Sequence, residues 1–267
     1  MNGIQKVIKI LAICLGIIII VNIFSACLYG LSFLTGIDYK EDKNLNNFEE
    51  IYKNVEKIEI NAIASNITIK SGNEFKVEAH NVEDNFSAQV NNKTLKIIEK
   101  QNIFNNNYKG SIIVTVPNGT TLKKLSIDTG AGKFIINDIS SNSFEMDHGA
   151  GILTITNSNF NNADIDGGAG KITINSSTLN NLDMDAGVGE VEIEANITGD
   201  SEINCGVGEV NITLLGNKDD YSIRTEKGIG SIKINNENQE SNSVYGNGSN
   251  KIELEGGVGS ISVSFKD

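Results

Sequence analysis

Four aspartates recur at a fixed spacing and are the residues of this chain best suited to chemistry. They lie nineteen residues apart, at Asp128, Asp147, Asp166 and Asp185. If each copy occupied one layer of a stack, neighbouring carboxylates would lie about 4.8 Å apart and repel each other by about 1 kcal/mol in water. Clustered carboxylates are ligands that Ca²⁺ prefers, so we expect weak Ca²⁺ binding along this row. The alternative, a solvated acidic face that only keeps the protein soluble, is the more common role of such a row.

A second acidic row lies two residues earlier and raises the question of enzymatic activity. It comprises Glu145, Asp164, Asp183 and Glu202. Pairs such as Asp164 and Asp166 could approach the ~6.5–9.5 Å separation of inverting glycosidases, which leaves a polysaccharide-cleaving β-helix enzyme as the least favoured alternative. The two histidines, His80 and His148, have no Ser, Cys or metal-ligand partner at an informative spacing. We expect His148 to pack beside a turn and His80 to lie at the surface, and we expect no enzyme, no catalytic residue and no organic cofactor.

Both acidic rows belong to a repeat whose most regular feature is a Gly-x-Gly triplet. Five triplets begin nineteen residues apart, and two more follow after longer intervals; they start at Gly130, Gly149, Gly168, Gly187, Gly206, Gly228 and Gly257. Apolar and polar residues alternate on both sides of each triplet, which indicates strands with one buried face. Nineteen residues leave no room for a crossover helix, so successive copies must stack in parallel. We predict an all-β protein, a parallel β-solenoid of nineteen-residue rungs with two main sheets, in which each triplet is a tight corner between two strands.

The remaining corners and the end of the array carry further expectations. Phe160 and Leu179 fall in the wider turns and should fill that end of the coil. The Asn-rich insertion at 235–250 is a candidate contact loop, although disorder is the default interpretation of such a composition. Phe265 to Asp267 close the chain without a capping helix, so the last rung either is shielded by the insertion or serves as a surface for self-association.

The N-terminal segment follows a different pattern. From Val7 to Ile37 it is nearly all apolar, with no charge between Lys9 and Asp38, and this exceeds the roughly 20 residues that a membrane helix needs. Lys6 and Lys9 lie at its short N-terminal side, which favours a cytoplasmic N-terminus and an external repeat domain. Cleavage as a secretory signal and lipidation at Cys27 are the alternatives to a retained membrane anchor.

These observations give a domain plan. We expect a short cytoplasmic N-terminus at 1–9, a transmembrane helix at 10–37, a charged linker at 38–54 and the β-solenoid at 55–267, with regular repeats at 119–214 and inserted repeats at 215–267.

The chain is acidic, with a formal net charge of −12, which argues against a nucleic-acid partner because such proteins need basic patches. Cys14 and Cys27 lie in the predicted anchor and Cys205 points inward, so no disulfide is expected within the repeat domain.

The repeat also resembles a known family. Val114 to Gly132 read Val-Thr-Val-Pro-Asn-Gly-Thr-Thr-Leu-Lys-Lys-Leu-Ser-Ile-Asp-Thr-Gly-Ala-Gly, and Gly-Ala-Gly and Gly-Val-Gly units follow. This segment resembles the bacterial domain-of-unknown-function family named "putative adhesin", and the resemblance extends over about residues 55–267. It implies a membrane-anchored protein encoded near envelope-stress and antibiotic-response systems. The resemblance transfers no site, because the family has no established catalytic or binding residue.

Together these features predict a non-enzymatic, adhesin-like surface module. We expect it to be held in the cell membrane by a single span, with the repeat domain outside the cytoplasm, and to bind an envelope protein or a cell-wall polymer. The alternative is a docking or sensing component of a cell-envelope stress response.

Overall fold

A computed structural model describes residues 45–99 and 110–266 of the chain. The predicted N-terminal segment, membrane helix and first part of the linker lie outside the described residues. Within those residues, no helix is long and apolar enough to cross a bilayer.

The described residues form one large sheet of twenty strands, most of them parallel, and this confirms the predicted all-β class. The first strands are β1 (Asn46–Tyr52), β2 (Lys57–Ala62), β3 (Asn66–Gly72), β4 (Phe75–Val82), β5 (Ser87–Asn91), β6 (Thr94–Ile98) and β7 (Ser111–Pro117). The central strands are β8 (Thr121–Leu122), β9 (Lys124–Asn137), β10 (Ser140–Ser141), β11 (Phe144–Thr156), β12 (Asn159–Phe160), β13 (Ala163–Asn180), β14 (Leu182–Thr198) and β15 (Asp200–Leu215). A 3-10 helix (Lys218–Asp220) precedes β16 (Tyr221–Glu226), β17 (Ile229–Ile234), β18 (Glu237–Asn238), β19 (Ser243–Gly246) and β20 (Asn250–Lys266).

The central strands stack with an offset of nineteen residues. Ala131 pairs with Ala150, which pairs with Ala169, and the polar and apolar positions on either side stay in the same register. The strands run through the glycine triplets rather than ending at them, which corrects the prediction of two strands per rung and of two main sheets in the solenoid. The reason is that the parallel ladder resumes immediately after the first glycine of each triplet, so the flat parts on both sides belong to one continuous sheet.

Glycine is required where the strand bends, as Gly170 illustrates. Its φ is +145°, a value that residues with a side chain rarely adopt. A Cβ at this position would lie 1.9 Å from the carbonyl oxygen of Gly151 in the neighbouring rung. The rungs therefore pack backbone against backbone at this corner.

The core lies between the flat parts of each rung and is built by alternation. Ile136, Ile155 and Ile174 occupy successive rungs in register and are buried. At the opposite corner Phe160 and Leu179 are fully buried, as predicted, and Phe160 stacks on Phe144 with ring centroids 4.2 Å apart. Each rung thus buries its apolar face only through contact with its neighbours.

Strand order departs from chain order at both ends of the array. The C-terminal strand β20 pairs with β15 on one side and with β16 and β17 on the other, so the terminal rung is not the last one in the chain. At the other end β2 and β3 lie between β9 and the outer strands β6 and β7. Neither predicted alternative for the last rung, shielding by the insertion or self-association, applies to Phe265 as an outer edge, because Phe265 pairs with Leu214 inside the array.

Short antiparallel strands cover parts of the outer rungs. At the C-terminal end, β19 pairs with β16 and β18 pairs with β17, so the Asn-rich insertion contributes strands rather than a disordered loop. At the N-terminal end β1 pairs antiparallel with β4, although residues 46–52 were predicted to belong to the linker. The prediction failed there because β1 is a largely exposed edge strand and lacks alternating burial.

Candidate functional site

The four predicted aspartates form a continuous column on the outside of the array. Register pairs join Asp128 to Asp147, Asp147 to Asp166, and Asp166 to Asp185, and all four side chains are exposed. The column continues through Asn204 to Glu255, because β20 stacks directly on β15. We call these six residues the acidic ladder.

The second predicted row stands beside the ladder in the same register. Glu145, Asp164, Asp183 and Glu202 follow one another along the array, and Glu253 extends the row. The N-terminal ends of both rows have partners: Lys124 forms a 2.6 Å ion pair with Glu145, and Asn61 Nδ2 donates to Asp128 Oδ2 at 3.3 Å. Among the ion pairs of the described residues, none includes Asp147, Asp166 or Asp185.

Partial burial and mutual repulsion disfavour ionisation in the middle of the two rows. The pKa of Asp166 is raised by burial and then by the charges of Asp164, Asp185, Asp147 and Asp183. Burial, followed by the charges of neighbouring carboxylates, likewise raises the pKa of Asp183 and of Glu255. The acidic face therefore stores unrelieved repulsion that a cation would reduce.

An open groove of about 470 Å³ runs beside the ladder. The groove is lined by Asp147, Asp166, Asp185, Asn204 and Glu255, by the corner residues His148, Gly167, Ala186, Cys205 and Gly256, and by the glycines at positions 149, 168, 187, 206 and 257. Because these glycines carry no side chain, a ligand could approach the backbone closely there. Among the described residues that line the groove, none is Lys or Arg.

Two groove residues hold polar atoms without a hydrogen-bond partner in the described structure. His148 is only 2% exposed, and both of its ring nitrogens lack a partner. The buried Oδ1 of Asn204 also lacks one, while Asn204 Nδ2 donates to Glu202 Oε1 at 3.0 Å. Buried polar atoms are normally satisfied, so these atoms carry a desolvation cost that a hydrogen bond would otherwise offset.

His148 sits in the core at the corner, as the sequence predicts, and its ring meets Phe134 edge-on with centroids 5.2 Å apart. Burial lowers the pKa of His148, and the nearby Asp147 charge opposes this shift. Cys205 occupies the equivalent corner position three rungs on, and burial raises the pKa of its thiol to about 12. Such a thiol is a poor nucleophile because the thiolate is the reactive form. His80 is exposed, as expected.

The carboxylates predicted to bind Ca²⁺ do not converge as the ligands of a dedicated metal centre do. In the residues that the structure describes, no group of three His, Cys, Asp or Glu side chains is placed to hold one metal ion. The ladder offers one carboxylate per rung, about 4.8 Å apart, whereas Ca²⁺ takes six to eight oxygens at about 2.3–2.6 Å. Cation binding by Asp128, Asp147, Asp166 and Asp185 remains a prediction, and water would have to supply most of the coordination.

The middle residues of the glycine triplets form an aliphatic ridge, a surface feature that was not predicted from the sequence. These stack in the order Ala131, Ala150, Ala169, Val188, Val207, Val258 and Ile229. Val188 is 56% exposed and Ile229 is 51% exposed. The signal was available in the sequence as the change from Gly-Ala-Gly to Gly-Val-Gly, but only the stacking shows that these side chains form one surface.

Several solved structures are similar to this chain. A "putative cell adhesion protein" from Clostridium sporogenes shares 20% identity with a TM-score of 0.43, over 84% of this chain and 100% of that one. A "putative adhesin" from Bacteroides fragilis shares 17% identity with a TM-score of 0.46, over 83% and 98% of the two chains. A "putative lipid binding protein" from Parabacteroides distasonis shares 17% identity with a TM-score of 0.39, over 84% and 98%.

No curated protein matches the chain. A family model does, and it covers residues 55–263, nearly all of the stacked strands. The chain therefore belongs to the Toastrack DUF4097 family.

Proposed function

We propose that this protein is a non-enzymatic binding module displayed on the outer side of the cell membrane, where its acidic face contacts a cell-wall polymer or another envelope surface. The observation that carries the proposal is the acidic ladder with its adjoining groove. The backbone fixes the spacing of the carboxylates over several rungs, so the face can recognise a partner that is itself extended and repetitive. The predicted membrane span at 10–37 would hold this face close to the cell surface.

A sedimentation assay with purified cell wall tests the proposal. A fragment beginning at Asn44, one residue before the described part of the chain, should sediment with the wall, and high salt should release it because exposed charges are screened. The Asp166→Asn/Asp185→Asn double variant should bind more weakly, since it removes two central carboxylates. Wall binding that is unchanged in the variant would refute a role for the acidic face.

A second candidate function is docking in an envelope-stress complex, and the aliphatic ridge favours it. Exposed apolar patches on soluble domains often mark protein contacts, and Val188, Val207 and Ile229 lie on one edge of the array. Crosslinking from membranes followed by pull-down should then enrich specific membrane proteins, and a Val188→Ser/Val207→Ser variant should lose them. Retention of wall binding by the same variant would separate the two functions.

A further inference from the structure

One end of the aliphatic ridge is a continuous apolar surface that reaches solvent. Val188 is 56% exposed, Val207 is 40% exposed and Ile229 is 51% exposed, and the half-buried Val258 lies between Val207 and Ile229 in register. These branched side chains follow one another over about 14 Å, at ~4.8 Å per rung. Single exposed apolar residues are ordinary on a protein surface, whereas a contiguous row is typical of a surface that contacts another molecule.

Carboxylates border this branched part of the ridge on both sides. They are Asp185, Glu255 and Glu226 on the ladder side, and Glu190 and Glu209 on the other side. Two lysines close to the ridge in sequence already form ion pairs, because Lys171 lies 3.2 Å from Glu190 and Lys227 lies 3.7 Å from Glu240. The apolar row therefore stands between two acidic margins.

This charge pattern restricts what can cover the ridge. A second copy with its ridge parallel to the first would place Asp185 of one copy opposite Glu190 of the other, and an antiparallel copy would bring the two acidic ladders together. Like charges held close together repel each other, so neither arrangement is favoured. A bilayer surface rich in anionic lipid is repelled for the same reason. The ridge instead matches a partner with an apolar stripe and positive charge on both sides of it.

The spacing of the ridge residues favours a helix over an extended strand. Apolar side chains on one face of an α-helix recur at each turn, about every 5.4 Å, whereas those on one face of a strand recur about every 6.8 Å. Against a rung spacing of about 4.8 Å, the mismatch over three intervals accumulates to about 2 Å for a helix and about 6 Å for a strand. Glycines on either side of each ridge residue, such as Gly187 and Gly189 beside Val188, leave room for the longer side chains of a helix.

We propose that the ridge from Val188 to Ile229 docks a basic amphipathic α-helix of a partner membrane protein. The inference rests on the second proposed function, docking in an envelope-stress complex, and it names the kind of segment that is docked. The apolar stripe of the helix covers the exposed valines and isoleucine. Lysine or arginine side chains beside that stripe extend their aliphatic parts over the glycines and reach the carboxylates on both margins.

Photo-crosslinking to the full chain in phosphatidylcholine nanodiscs tests the proposal. The probe is a synthetic helical peptide of Leu and Lys, about 14 residues long or ~21 Å, with its leucines on one face and a diazirine-bearing leucine analogue at the centre. Mass spectrometry should place most crosslinks at the triplets of Val188, Val207, Val258 and Ile229. A Leu/Glu peptide of the same pattern and a scrambled Leu/Lys peptide should each crosslink there about tenfold less. Equal crosslinking by either control would overturn the proposal.

Two substitutions of the ridge itself test the location of the site. The Val188→Ser/Val207→Ser variant should lower the crosslinking yield about tenfold. The matched control Val90→Ser/Val244→Ser truncates two exposed valines away from the ridge and should keep the native yield; equal losses in both would place the binding elsewhere. Ala169→Val lengthens the branched part by one rung and should raise the yield, a gain that misfolding cannot mimic. An unchanged or lower yield in Ala169→Val would contradict the assigned role of the ridge.

The acidic margins are tested on the side away from the ladder. The Glu190→Gln/Glu209→Gln variant should lower the yield of the Leu/Lys peptide about threefold to tenfold, because it removes two charges beside the apolar row. The control Glu74→Gln/Glu237→Gln removes the same charge at exposed positions elsewhere and should keep the native yield. A native yield in Glu190→Gln/Glu209→Gln would remove the charge argument and overturn the proposal.

Other occupants of the ridge give different results. Differently tagged native chains that co-purify, when Val188→Ser/Val207→Ser chains do not, would make the ridge an interface between copies, and crosslinks from diazirine-bearing lipid to the same triplets would assign it to the bilayer; either result overturns the proposal. Membrane proteins that are lost from the pull-down in Val188→Ser/Val207→Ser, without any peptide crosslinking, would remove this inference and leave the docking function intact. Peptide crosslinking without any such membrane protein would remove the docking function and reassign the ridge to a free basic peptide.

Discussion

His148 lies in an environment that opposes its own ionisation. The side chain is buried among apolar neighbours, its nitrogens have no partner, and burial lowers its pKa. Thr129, the register neighbour of His148, also buries a hydroxyl oxygen that has no partner in the described structure. Within the described core, Thr129 and His148 are therefore positions at which polar side-chain atoms lack hydrogen bonds.

Stability should fall as the pH drops past the ordinary pKa of histidine, near 6.5. The folded-state pKa of His148 lies below its unfolded value, so the unfolded state takes up the proton first and gains stability as the pH falls. The loss is limited to about 1.4 kcal/mol per pH unit for one proton. Thermal melts between pH 7.5 and 5.5 should show this decline in the native chain and much less of it in His148→Gln.

The exposed His80 provides the control for that experiment. A His80→Gln variant should keep the pH dependence of the native chain. The carboxylates with raised pKa values act in the opposite direction, because their protonation favours the folded state at lower pH. A decline that persists in His148→Gln would assign the acid sensitivity to another group.

The ladder aspartates predict a second residue-scale effect. Millimolar Ca²⁺ should raise the melting temperature by a few degrees, because it relieves repulsion between Asp147, Asp166 and Asp185. The Asp166→Asn/Asp185→Asn variant should melt higher than the native chain without Ca²⁺ and respond less to it. Calorimetry that detects neither heat nor a melting shift would exclude the cation site.

The glycine corner controls stability at the scale of the strand. Gly170→Ala should destabilise the fold by about 2–5 kcal/mol, combining the cost of a left-handed backbone with a clash against the Gly151 carbonyl. Gly119→Ala separates the two contributions, because Gly119 has a φ of +73° but open space around its Cβ position. Denaturant unfolding should give the control a loss of only about 1–2 kcal/mol; equal losses would show that close packing at the corner contributes nothing.

Strand β20 holds the outermost rung in place, and its removal should release that rung alone. A chain that ends at Ser249 leaves β16 and β17 without their parallel partner. Hydrogen exchange should then show rapid exchange at 221–234 and continued protection at 144–174. A control chain that ends at Ser264 keeps nearly all of the pairing and should protect both regions; loss of protection throughout the shorter chain would mean that the array unfolds as one unit.

Some of these elements could be predicted from the sequence and others could not. Parallel stacking, the buried alternation and the acidic column follow from a nineteen-residue period, because in-register copies place equivalent residues at equivalent depths. The insertion of β20 and the edge strand β1 could not be predicted, since both depend on pairing between segments far apart in the chain. The aliphatic ridge and the unpartnered atoms of His148 and Asn204 could not be predicted either, because they depend on which residues of neighbouring rungs lie beside them.

At the scale of the whole molecule, the long apolar segment before the repeats predicts where the protein is located. We predict that the apolar segment at 10–37 retains the protein in the membrane, because it is long enough to span the bilayer. The full chain should stay in the membrane fraction after an alkaline carbonate wash, and a chain beginning at Asn44 should not. Release of the full chain by the wash would contradict a spanning anchor.

The two ends of the array are finished by strands that stand outside the nineteen-residue register, while the middle is made of interchangeable units. Gene duplication could therefore lengthen the molecule without remaking either terminus. Each added copy would extend its reach by about 4.8 Å and enlarge its contact face by one rung. Reach and valency would then evolve together, one step at a time.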